Sequence, residues 1–197
     1  IILGLILAGL FQVFFWITQD NKVTLKQNAS ERFESLSYAP FEGYDKKVLS
    51  PEQIKEDISI LIKHTNKVRT YATADAKVIL EVASKTNMMV DLGLWLSGDH
   101  EENHKEIQRG LELLKKYPNN INNVIVGNET LLRTDLNEVE LMAYLDFVKG
   151  FTKKPITTAE VWHTLDKYPE IGNHVDFITV HFLPYWENVP IEQFNNF

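Results

Sequence analysis

Cysteine is absent from this chain of 197 residues. That one absence removes disulfides, thiolate metal centres and thiol nucleophiles together, and it fits an oxidising compartment. Glycine-rich phosphate cradles are missing as well: neither G-x-G-x-x-G nor a Walker sequence occurs, so the usual fingerprints of nucleotide binding are not present. Basic residues are in the minority. The 20 Lys and Arg are scattered among 27 Asp and Glu, for a net charge of −7 and a pI near 5.4. No basic stripe forms for a phosphate backbone to follow, which argues against nucleic acid as a partner.

Charge is also missing from one particular place. Residues 1–17 (IILGLILAGLFQVFFWI) carry no ionisable side chain and one polar residue, Gln12. Seventeen residues is the short limit for a helix crossing a bilayer, and Trp16 at its edge suits the interface. No small-x-small cleavage site follows, so a transmembrane anchor over 1–18 is expected rather than a removed signal peptide. Residues 19–33 are polar without apolar period and read as a linker. Such an anchor would tether the remaining domain, 34–197, expected outside the cytoplasm, to a membrane, although the apolar run does not itself fix the orientation.

What is present in 34–197 is alternation. Short apolar segments lie at 34–38, 67–71, 88–96, 123–128, 156–162 and 177–183, and helical patterns lie between them. Ser50-Pro51-Glu52-Gln53 is a capping box with proline at the first helical position, followed by the stripe Ile54, Ile58, Leu61, Ile62. Further helices are expected over 74–84, 101–117 and 138–148, the last opened by Asn137 and Glu140. Six strand–helix repeats predict an α/β fold with a parallel sheet. An open doubly wound sheet and a (β/α)8 barrel both remain at this point. A barrel needs eight units and about 250 residues, so a barrel here would be incomplete, with about six of eight units.

Acids and amides at strand ends carry the chemistry. Val124-Ile125-Val126 is apolar at consecutive positions, as in a strand covered on both faces, and runs directly into Gly127-Asn128-Glu129. The carboxyl end of a parallel strand is where such folds hold their reactive groups. Glu160 closes another strand, and either a sugar site or an ion pair with Arg69 would use its carboxylate. Asp91, in mid-strand, reads as a satisfied core acid. The four Trp and the 11% of aromatic residues suit stacking on sugar rings. His100-Glu101-Glu102-Asn103-His104 matches the H-E-x-x-H pattern of zinc proteases, but its polar flanks and the lack of a third ligand mark the start of a solvated helix. No metal or organic cofactor is expected.

Taken in order, Ser37-Tyr38-Ala39-Pro40-Phe41, Val68-Arg69-Thr70-Tyr71, Gly93-Leu94-Trp95-Leu96, Val126-Gly127-Asn128-Glu129, Thr157-Thr158-Ala159-Glu160-Val161-Trp162-His163 and Val180-His181-Phe182-Leu183-Pro184-Tyr185-Trp186 resemble glycoside hydrolase family 17. That family comprises β-1,3-glucanases and glucan transglycosylases, and the chain is most similar to its bacterial, membrane-associated members. The resemblance implies a TIM barrel and a retaining mechanism with glutamates on strands four and seven. It makes Glu129 the acid/base and gives Asn128 a hydrogen bond to the sugar 2-hydroxyl. It places Tyr38, Tyr71, Glu160, Trp162, Tyr185 and Trp186 around a β-glucan substrate. The nucleophile of the seventh strand has no counterpart in this sequence, so a truncated chain, inactive by itself, is expected. The alternative is a non-catalytic glucan-binding or accessory module fused to, or associated with, a membrane glycosyltransferase.

Overall fold

The computed structural model describes residues 32–42 and 47–190, together with Gln12. Residues 1–18, read as the membrane anchor, and 19–31 of the linker otherwise lie outside the described residues. Among the described residues, no helix is long and apolar enough to cross a membrane. The compact unit begins at Arg32. Arg32 donates to the Ile62 carbonyl at 2.7 Å and the Phe33 amide to the His64 carbonyl at 2.9 Å, so the last two residues of the expected linker belong to the domain.

Strand β1 (Leu36–Ser37) is followed by a short antiparallel pair, β2 (Phe41–Glu42) and β3 (Lys47–Val48), that has no signal in the apolar pattern. The regular alternation then runs α1 (Pro51–Leu61), β4 (Lys67–Arg69), α2 (Thr73–Ala83), β5 (Met89–Leu94), α3 (His100–Lys116), β6 (Ile121–Asn128), α4 (Glu138–Phe151), β7 (Ile156–Val161), α5 (Trp162–Lys167) and β8 (Thr179–His181). The main sheet has six strands in the order β1-β4-β5-β6-β7-β8, every neighbour parallel. Each crossover adds the next strand on the same side and the order never reverses. An open doubly wound sheet would reverse at a switch point, so the curled sheet follows the winding of a barrel, with six strands of the eight.

Local chemistry accounts for the element ends. Ser50 accepts from the Gln53 amide while Gln53 reaches back to the Ser50 amide, and Asn137 and Glu140 repeat this at α4. Asp99 caps α3 through the amides of Glu101 and Glu102. Helix α2 has no side-chain cap of its own. The carboxylate of Glu106 on α3 takes the Thr73 amide at 2.7 Å, the Thr73 hydroxyl at 2.5 Å and the Trp95 amide at 3.1 Å. One buried acid thus satisfies the orphan donors of a helix start and of a strand end, and Arg109 neutralises it at 2.9 Å.

The main core lies between sheet and helices. Ile54 and Ile58 of α1, Ile79 and Leu80 of α2, Ile107 of α3 and Leu141 and Leu145 of α4 are almost completely buried with Val68, Leu92, Val124 and Val126. Side chains alternate across each strand, so the intervening residues face the concave side, which is polar. There Asp91 accepts from Asn122 at 3.0 Å and Asn123 at 3.1 Å, and Lys67 lies 3.9 Å away. It is a satisfied core acid.

Candidate active site

The strand ends meet around Glu129. Strand β6 breaks register with β7 between Ile125 and Asn128. Gly127 has φ +82° and Glu129 φ +54°, two left-handed residues flanking Asn128. Only glycine takes the first without strain, and a Cβ there would also press on Thr130 at 3.0 Å. A glutamate held at positive φ is uncommon, and such strain gathers at functional sites. The Glu129 amide is tied to the Ala159 carbonyl at 2.7 Å, which anchors the turn on β7.

Three strands converge on this turn. Arg69, from β4, donates Nη2 to Asn128 Oδ1 at 2.6 Å and lies 3.0 Å through Nη1 from His181 Nε2 of β8. His181 Nδ1 is 2.6 Å from Glu129 Oε1. Arg69 itself is largely buried. Burial lowers its affinity for its proton, and the fields of Tyr71, Asp91 and Glu129 counter this. Its guanidinium carbon sits 4.9 Å from the centre of the Tyr71 ring, a cation–π contact. Asn128 accepts through its oxygen, so its Nδ2 is left as a donor.

A second arginine supports the turn from outside. Arg133 donates to the Asn128 carbonyl and, at 2.9 Å, to the Leu96 carbonyl, and it pairs with Asp135 at 2.7 Å. Its guanidinium stacks 4.4 Å from the ring centre of Trp95, a residue 41% exposed at the end of β5. Arg133 does not stand out in the sequence, and Trp95 figures there only as part of the Gly93–Leu96 motif. The sole signal for Arg133 is a positive charge four residues after Glu129.

The expected sugar-site residues divide into groups. Asn128, Glu129 and Tyr71 are brought together with Arg69. Trp162, first residue of α5, donates Nε1 to both oxygens of Glu187 at 3.1 and 3.2 Å. This ties it to the turn bearing Tyr185 and Trp186, whose rings meet edge to face at 5.2 Å and are each 75% exposed. Those three aromatics share the rim beyond β7 and β8. Tyr38 is placed elsewhere: its hydroxyl donates to Asp57 of α1 at 2.6 Å. Burial first, and then the Asp57 carboxylate, hold its phenol well above the usual range. Its period-2 position beside Leu36 turns it to the helix layer, where it packs against the core.

Glu160 is likewise drawn into the interior. It lies inside β7, fully buried, and makes no ion pair with Arg69. Its Oε1 accepts from the Leu131 amide at 2.9 Å and the Thr130 hydroxyl at 3.2 Å, while Oε2 is buried without a partner among the described residues. Burial raises its carboxyl above the ordinary value, helped by the charge of Glu129 and opposed by the hydrogen bonds it accepts. The acid that sequence puts on the substrate side braces the turn after Glu129 from beneath. His100 and His104 are spaced across the first turn of α3, where His100 contacts Tyr144 at 2.9 Å and Glu140 at 3.5 Å. Among the described residues, no group of three His, Asp or Glu is placed to hold a metal.

Comparison with known proteins bears on the family and the fold. Residues 35–197 match the BtgE/BtgC glycoside hydrolase domain. A probable glucan endo-1,3-beta-glucosidase btgC of Aspergillus clavatus is 25% identical over 160 residues, 73% of this chain and 23% of the relative. A glucan 1,3-beta-glucosidase of Schizosaccharomyces pombe is 28% identical over 146 residues, 66% of this chain and 45% of the relative. Among solved structures, a Rhizomucor miehei beta-1,3-glucanosyltransferase of glycoside hydrolase family 17 superposes with TM-score 0.72 and 27% identity. That alignment covers 82% of this chain and 61% of the other; an active-site mutant of the same enzyme is known in complex with laminaritriose. An endo-laminarinase from Formosa shares the fold at TM-score 0.70, with 20% identity, 79% of this chain and 51% of that one. The chain therefore spans about a quarter to three-fifths of the proteins it matches. With the family match running over most of its length, the chain belongs to the BtgE/BtgC glycoside hydrolase domain family.

Proposed function

We propose that this domain acts on β-1,3-glucan as the acid/base-bearing part of a retaining hydrolase or glucanosyl transglycosylase. The observation that carries the reading is Glu129, held at positive φ at the carboxyl end of β6 with Asn128 and Arg69 beside it. Family membership and the β-1,3-glucan chemistry named for the relatives support it. Glu129 protonates the departing glycosidic oxygen and then deprotonates the incoming water or sugar hydroxyl. Asn128 Nδ2 is the donor for the sugar 2-hydroxyl. Tyr71, Trp162, Tyr185 and Trp186 offer ring faces and edges to the glucan.

Retention demands a second carboxylate about 5–5.5 Å from the first. Glu160 does not supply it, since it is buried and engaged by the backbone at residue 131. We assign that nucleophile to a seventh strand, as the family resemblance implies. A membrane anchor at 1–18 rests on the apolar run alone, and an extracytoplasmic glucan on the family resemblance.

Glu129→Gln in the full polypeptide tests the assignment. Hydrolysis or transfer on laminarin-type oligosaccharides is expected to fall about 10²–10⁴-fold, with binding retained. An unchanged rate overturns it. Glucan binding without turnover in the unsubstituted protein would instead favour the accessory module of a membrane glycosyltransferase.

A further inference from the structure

His181 lies between the two groups that matter most at the strand ends. Its Nε2 is 3.0 Å from Arg69 Nη1 and its Nδ1 2.6 Å from Glu129 Oε1. A guanidinium can only donate, so Nε2 must be the acceptor of that pair. A neutral imidazole with Nε2 unprotonated carries its hydrogen on Nδ1, which therefore donates to Glu129 Oε1. An imidazolium would set an Nε2–H against the Arg69 N–H, donor against donor at 3.0 Å, and lose the bond. Arg69, fixed in turn by Asn128 and Tyr71, selects the tautomer in the way the partner of one ring nitrogen sets the role of the other.

We propose that His181 is a positioning residue for Glu129, held as the Nδ1–H tautomer by Arg69, and that it consigns the transferable proton to Glu129 Oε2. The inference rests on the acid/base reading of Glu129 for its consequence, although not for its geometry. Oε1 accepts from Nδ1–H whether Glu129 is a carboxylate or a carboxylic acid, because both forms keep an acceptor lone pair there. The proton is then confined to Oε2, which has no hydrogen-bond partner among the described residues. In the first step Oε2–H passes to the glycosidic oxygen as its bond to the anomeric carbon breaks. The bonding pair stays with that oxygen, and a second carboxylate takes up the anomeric carbon. In the return step a water or sugar hydroxyl forms the new bond to that carbon, the carboxylate leaves with its electron pair, and the hydroxyl proton returns to Oε2. His181 gains and loses no proton in either step. Its contribution is to keep one oxygen tied back and the other aimed.

Long-range nitrogen–proton NMR of the histidine-labelled full chain reads the tautomer directly and requires no catalysis. His181, assigned through its backbone, is expected as Nδ1–H in the unsubstituted protein. Arg69→Met removes the donor that bars a hydrogen from Nε2, while Nδ1 still has to donate to Glu129 Oε1, so a ring protonated on both nitrogens is expected in place of the pure Nδ1–H form. An Nε2–H ring or an imidazolium in the unsubstituted protein overturns the proposal whether or not glucan is cleaved. Rescue separates positioning from mere packing. Asn places an amide N–H near the position of Nδ1, whereas Phe fills the volume without a donor. In the full polypeptide, His181→Phe is expected to lower kcat about 10²-fold with KM little changed, and His181→Asn to recover about tenfold of that loss. Equal losses for Asn and Phe overturn the proposal. The expected tautomer in a protein without action on any β-1,3-glucan would leave the positioning geometry standing and refute the assigned function instead.

Discussion

Arg69 Nη2 donates to Asn128 Oδ1 at 2.6 Å, joining β4 to β6 across the intervening strand β5. The same guanidinium holds His181 of β8, so one side chain sets two neighbours of Glu129. Lysine retains the charge but not the planar fork. Arg69→Lys is accordingly expected to lower kcat on laminari-oligosaccharides by about 10–10²-fold, through misplacement of Asn128 and His181. Kinetics equal to those of the unsubstituted protein would show that the fork does not organise the site.

Gly93 allows that crossing. A Cβ on it would lie 2.3 Å from the Thr70 carbonyl oxygen and 2.7 Å from Tyr71 Cα, both backbone atoms. Gly93→Ala must push residues 70–71 outward and is expected to destabilise the domain by about 1–3 kcal/mol or more. Gly150 supplies the contrast, since nothing lies within 4 Å of its notional Cβ near the end of α4. Gly150→Ala is expected to stabilise by about 0.5–1 kcal/mol. Urea unfolding of the two variants checks both signs, and a tolerated Gly93→Ala would refute the close-approach argument.

Glu106 is 4% exposed and satisfies the Thr73 and Trp95 amides at once. Glu106→Ala strands both donors and leaves Arg109 without that partner, so a loss of about 3 kcal/mol is expected. Glu106→Gln keeps an acceptor oxygen and should lose less. Chemical denaturation that ranks Gln below Ala in stability would contradict the capping role.

Glu160 makes stability depend on pH with a definite sign. Burial raises its folded carboxyl above the ordinary value, so the folded state holds the proton more tightly than the unfolded chain. Its contribution is complete below the ordinary carboxylate range and is lost as pH rises through the raised folded value. Glu160→Gln, neutral throughout, removes that term. The stability of the unsubstituted protein relative to the variant is expected to fall as pH rises from roughly 4 towards neutrality. Urea midpoints measured at several pH values give this difference, and a difference that grows with pH would reverse the assignment.

Much of this architecture is legible in the chain order of residues. Capping boxes at Ser50 and Asn137, the stripe Ile54, Ile58 and the apolar run Val124-Ile125-Val126 act through local periodicity and local hydrogen bonds, so sequence alone determined the alternation and the strand end that bears Glu129. Glycine at 127 belongs to the same class, because a positive φ is a property of one residue. Which face each side chain takes, and what meets it, depends on neighbours far away in the chain. Sequence puts Glu160 and Tyr38 beside the substrate. The tertiary structure turns Glu160 under the 129–131 turn and Tyr38 to Asp57, because one step along a strand exchanges the concave face for the helix layer. The tautomer of His181 was likewise decided only in three dimensions. It follows from an arginine 112 positions away in sequence and 3.0 Å away in space, and from the physical fact that a guanidinium has nothing to accept with.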